Sequence, residues 1–141
     1  MLLVVLNTTI FMAVAALHIY WALGGKAALG GALPMMSNSD EPVFRPGVVA
    51  TLIVALGLVF FALITVGSTG CFDAFVGREY IKYGNWAIAA IFLIRAVGDF
   101  RYVGFTKRVR GTTFADNDTK YYAPLCVVVG LCSLMIAANT A

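Results

Sequence analysis

The sequence predicts an all-α integral membrane protein, a four-helix bundle with both termini on the non-cytoplasmic side. Three observations lead there. Of its 141 residues 61% are hydrophobic and only 12% charged, whereas a soluble domain carries roughly 25% charged residues. The mean hydropathy is +0.89. Four apolar stretches, approximately residues 2–23, 48–66, 86–105 and 121–138, come close to the roughly 20 residues that cross a bilayer as a helix.

The first stretch is apolar apart from Asn7, Thr8, Thr9, His18 and the amphipathic Tyr20 and Trp21. It lacks a basic leader and is longer than the apolar core of a signal peptide, so it reads as a retained helix ended by Gly24-Gly25. A polar loop follows, with Pro34, the run Ser37 to Pro42, and Arg45. Pro46-Gly47 then suits a helix start, because proline in the first turn forfeits no internal hydrogen bond. The second span carries only Thr51 and Thr65 as polar residues. Residues 67–85 read as a connection with a short amphipathic helix in the interface. The third span is expected from Trp86 to Phe105. Asp118-Thr119 is expected to cap the fourth, with Pro124 in its first turn. The chain reads as a single transmembrane domain over residues 1–141.

Four spans place the first and third loops on one side, with Lys26, Arg45, Arg101, Lys107, Arg108, Arg110 and Lys120, against Arg78 and Lys82 on the other. The positive-inside rule makes the basic side cytoplasmic. The net charge of +3 and its confinement to loops point to an anionic lipid surface and away from nucleic acid. The three cysteines include no C-x-x-C. Cys126 and Cys132 are separated by about 9 Å of helical rise, too far for a disulfide. A single histidine excludes bis-histidine haem ligation within the chain and leaves no metal site to assign.

Arg95 and Asp99 stand out because ionisable groups within a membrane helix are costly and by default mark function. Helical spacing gives each span one polar stripe: Asn7, Phe11, Val14 and His18; Thr51, Leu58 and Thr65; Ile88, Arg95, Asp99 and Tyr102; Tyr122, Cys126, Val129 and Ser133. Counted from the cytoplasmic ends, His18, Thr51, Asp99 and Cys126 fall in one layer about 7 to 9 Å deep. Tyr102 and Tyr122 close that layer and Arg95 lies one turn deeper. A weaker outer layer contains Asn7, Thr65 and Ser133. The expected site is therefore a polar cluster of His18, Trp21, Thr51, Arg95, Asp99, Tyr102, Tyr122 and Cys126, with Arg45, Arg101 and Asp118 on the cytoplasmic face. Either Asp99, ionised by Arg95 and bonded to His18, serves a ligand or a proton path, or the pair only neutralises itself as structural glue.

The segments His18 to Gly25, Phe44-Arg45-Pro46-Gly47, Arg95 to Phe105, Phe114, Asp118-Thr119 and Tyr122 to Cys126 together resemble a bacterial family of small four-helix membrane proteins, domain of unknown function 3995. The resemblance covers nearly the whole chain and implies a bacterial cytoplasmic (inner) membrane location without an activity. Its signature falls on His18, Trp21, Arg45, Arg95, Asp99, Arg101, Asp118, Tyr122 and Pro124. No reaction or cofactor is identified, and the reading leans away from an enzyme. The expectation is a protein that binds a small molecule or lipid headgroup. The alternatives are an accessory subunit of a larger membrane complex, or a proton-coupled carrier that would need to assemble as a homo-oligomer.

Overall fold

The computed structural model describes residues 1–34, 36 and 42–140. Residues 37–41 of the expected polar loop lie outside them. Every regular element is helical: α1 (Leu2–Ala22), α2 (Leu29–Ala32), α3 (Val48–Gly67), α4 (Arg78–Val97), α5 (Thr113–Asn117), a π-helical turn (Asp118–Tyr122) and α6 (Ala123–Asn139). α1 packs along α3 and α4 along α6, and lighter contacts of α3 with α4 and of α1 with α6 close the ring. Among the described residues, three segments are long and apolar enough to cross a membrane: α1, α3 and the continuous helix Thr113–Asn139.

The third expected span is displaced. Residues 68–77 form the connection, mostly turns, and the helix begins at Arg78 and stops at Val97, two turns earlier at each end than the apolar pattern suggested. Its axial position follows from the aromatic centre of the core. Phe11, Phe61 and Phe92 meet there, with ring centroids 5.9, 5.5 and 6.2 Å apart. From that level α1 continues about 16 Å to Ala22 and α3 about 20 Å back to Val48, while α4 continues only about 8 Å to Val97. At the other end α4 overshoots its neighbours, which carries Arg78, Glu79 and Lys82 beyond the apolar layer. There Arg78 meets Asp73 at 2.7 Å, and exposed Tyr80, Tyr83 and Trp86 form the kind of aromatic girdle found at bilayer boundaries.

The last helix also starts earlier than expected. Its N-cap is Thr112, whose hydroxyl accepts the Ala115 N–H at 3.1 Å, so Asp118 and Pro124 lie inside one long helix. Proline has no N–H for the carbonyl four residues back and its ring crowds that carbonyl. Just before it, the helix widens into the π turn, where the Ala123 N–H bonds the Asp118 carbonyl. Local π adjustment is a known way to accommodate proline in a membrane helix.

Between membrane helices, association rests on close packing and interhelical hydrogen bonds rather than on exclusion of water. The core accordingly combines Phe11, Leu58, Ile88 and Val129 with small residues such as Ala15, Ala62 and Ala89. Of the expected outer layer, Asn7 donates to the Ser133 hydroxyl at 2.9 Å and to the Val129 carbonyl at 3.3 Å, tying α1 to α6. Thr65 is fully buried at the same level, one turn from Phe61. α4 and α6 approach closely at Gly130, where an added Cβ would lie 2.8 Å from the Leu93 side chain and 3.3 Å from its backbone nitrogen. Gly130→Val should therefore destabilise the fold by about 1 to 3 kcal/mol, measured by unfolding in mixed micelles. Gly57→Ala, which meets open space, should leave stability unchanged.

Candidate functional site

The segment from Arg95 to Phe105 is not a helix end with a side-by-side ion pair. α4 terminates at Gly98, whose φ of +97° belongs to the left-handed region and where a Cβ would collide with the Val103 carbonyl. The chain then folds back, so that the Phe105 N–H reaches the Ala96 carbonyl at 2.9 Å and the Thr106 hydroxyl the Val97 carbonyl at 2.6 Å. These bonds satisfy helix carbonyls that would otherwise be orphaned. Asp99 is the pivot of the loop. Its Oδ1 accepts the N–H groups of Arg101, Tyr102 and Val103 at 2.9, 2.7 and 2.9 Å. The expected Arg95–Asp99 pair does not form because Gly98 ends the helical register between them. Tyr102 does not close a layer either; it stays in this loop with the Arg101 guanidinium 5.1 Å from its ring centroid.

Arg95 instead reaches Asp118, on the π turn. Asp118 is fully buried and accepts Arg95 Nη2 on Oδ1 at 3.0 Å; its Oδ2 accepts the Gly104 N–H at 2.7 Å and Lys107 Nζ at 3.0 Å. Lys107, only 4% exposed, also donates to the Gly104 carbonyl at 3.0 Å and the Thr119 hydroxyl at 2.6 Å. A buried charge is tolerable when paired and fully hydrogen-bonded, and both conditions hold for the Lys107–Asp118 pair. Cys126, a free thiol, lies two turns beyond Asp118 on the same continuous helix. Lys107 was missed in the sequence because it sits in a basic run that reads as a topology signal. Asp118 read as a helix cap. The signal that was available is Gly98-Asp99 directly after a basic last turn, a helix-stop pattern.

The remaining expected residues gather elsewhere. His18, Trp21, Arg45 and Thr51 line a cleft of about 730 Å³ between the end of α1, α2, residues 42–46 and the start of α3. That volume is within the range of small-molecule sites. Leu29, Leu33, Pro34 and Phe44 make the walls apolar, and Lys26 and Arg45 stand at its polar side. His18 does not meet Asp99. Its Nδ1 lies 2.8 Å from the Val14 carbonyl, which can only accept, so the proton sits on Nδ1 and Nε2 is left as an acceptor. The Trp21 ring packs against the imidazole at a centroid distance of 5.1 Å, with its Nε1–H bonded to the Ala27 carbonyl at 2.8 Å. Thr51 donates to the Gly47 carbonyl at 3.0 Å. Tyr122 holds the α2 wall from outside by donating to the Gly31 carbonyl at 3.1 Å. A relay from His18 to Asp99 has no geometric basis. Among the described residues, no three His, Cys, Asp or Glu side chains gather as a metal ion requires.

One family model, described as a protein of unknown function (DUF3995), matches residues 11–133. No curated protein and no solved structure matches the chain.

Two outcomes follow from the ion cluster. Asp118→Asn leaves the buried Lys107 ammonium uncompensated and should cost about 3 kcal/mol. Adding Lys107→Met should recover much of that loss in a double-mutant cycle.

Proposed function

We propose, for a chain that belongs to the DUF3995 family of proteins of unknown function, that it is a multi-pass protein of the bacterial cytoplasmic membrane, a single four-helix domain that binds a small molecule or a lipid headgroup in the cleft beside His18. The basic loops and the cleft share one end of the helices, with Arg78 and Lys82 at the other, and this arrangement supports a cytoplasmic cleft with both termini outside. α4 supplies the fourth crossing through Trp86–Val97, and the folded-back loop completes the depth that its early end leaves open. Irregular backbone at membrane depth is tolerated where protein covers it.

The observation that carries the reading is the cleft itself: an apolar space of about 730 Å³ into which His18 brings an imidazole whose Nδ1 is committed to Val14. Hydrophobic walls with a few convergent polar groups are what ligand sites present. In the Arg95–Asp118–Lys107 cluster, by contrast, Lys107 and Asp118 spend their hydrogen bonds on each other and on the loop, which the cluster fastens, while Arg95 Nη1 is buried without a partner.

Filling the cleft tests the proposal. Gly30 lines it and has open space at its Cβ position, so Gly30→Phe should preserve folding while occupying the volume. After delipidation and exposure to vesicles of total bacterial polar lipid, the wild-type protein should retain bound molecules in native mass spectrometry. The Gly30→Phe protein should lose them at least about tenfold, the equivalent of 1.4 kcal/mol. Equal retention by both would remove the cleft as the site.

A further inference from the structure

We infer that the occupant of this cleft is an anionic phospholipid of the surrounding leaflet, which enters sideways from the bilayer and places its phosphate between Lys26 and Arg45. The inference rests on the cleft being a binding site, as proposed above, and adds the chemistry and the route.

The route comes from α3. Ala50 and Val54 line the cleft, and Val54 is 47% exposed on the same helix as the strongly exposed Val49 and Ile53. An apolar helix face of this kind is lipid-facing in a membrane, so the cleft is continuous with the acyl-chain region. Its floor therefore suits a hydrocarbon chain, and its far side lies at the α1 terminus and the interfacial loop, where headgroups reside.

The chemistry comes from charge. Lys26 and Arg45 line the cleft, and no acidic side chain does so among the described residues. Each basic group strengthens the attraction to an anionic lipid surface, and arginine adds a planar fork matched to phosphate oxygens. His18 Nε2, the ring nitrogen that Val14 does not engage, accepts a hydrogen bond from a headgroup hydroxyl. A polyol phosphate headgroup meets both roles, whereas a choline headgroup has no hydroxyl to donate and brings a cation against Lys26 and Arg45.

Nanodiscs containing phosphatidylglycerol or phosphatidylcholine with identical acyl chains provide the test, read by native mass spectrometry of the released protein. The wild-type protein should retain phosphatidylglycerol about tenfold or more over phosphatidylcholine, in proportion to the two cations. Lys26→Gln with Arg45→Gln should abolish that preference, Gly30→Phe should abolish retention of both, and water-soluble glycerol phosphate at millimolar concentration should not displace the lipid. Retention of both lipids equally, with sensitivity to Gly30→Phe, would overturn the anionic assignment while the cleft stands. Retention insensitive to Gly30→Phe would overturn the cleft itself. Displacement by glycerol phosphate alone would show a soluble phosphate ligand and overturn the lateral route.

Discussion

The Asp118 carboxylate holds together an end of the molecule that the helices alone leave open. α4 stops well short of α1 and α3, and the gap beneath it is filled by non-helical chain, whose backbone groups need partners wherever they are buried. Asp118 meets this need by accepting the Gly104 N–H and fixing Lys107, which in turn takes the Gly104 carbonyl. Arg95 joins the same carboxylate from the last turn of α4. One acid thus pins the loop, the end of α4 and the start of the last helix to each other.

That arrangement also explains why the motif around Arg95 to Phe105 has such a definite composition. Gly98 and Gly104 approach each other so closely that a Cβ on either would overlap the other's backbone or the adjoining carbonyls. Asp99 gathers three successive amides, a task for a short acceptor side chain that can bond to its own nearby backbone. The charged residues of the motif divide the work: Asp99 organises the loop internally, whereas Arg95 and Lys107 anchor it to the neighbouring helix.

The sequence made the helices, their polar stripes and the sharing of one end by the two basic loops legible, because these depend on hydropathy and on the 3.6-residue period. Thr51, Leu58 and Thr65 are all buried, and Asn7 does find Ser133 across α1 and α6. His18, Trp21 and Thr51 of the expected cluster line one cleft, and Arg45, expected apart from them on the cytoplasmic face, lines it too. The misplaced element was α4. A run of apolar residues through Phe105 looked like a span, and the helix-stop signal of Gly98-Asp99 was read as helix interior. Once the register was carried across Gly98, Asp99 was placed beside Arg95 and His18, and the partnership with Asp118 was invisible. Pairing across such a separation is set by tertiary packing, which local periodicity does not encode.

The bond from Tyr122 to Gly31 has a mechanical consequence. Tyr122 lies on the same π turn as Asp118, so the wall of the cleft hangs from the segment that fastens the loop, with Asn117 adding a second contact to Gly31 at 3.4 Å. Opening of the π turn would release both anchors of that wall at once. A substitution that loosens the Asp118 cluster therefore reaches the cleft wall through one short segment of helix, without touching a residue that lines it.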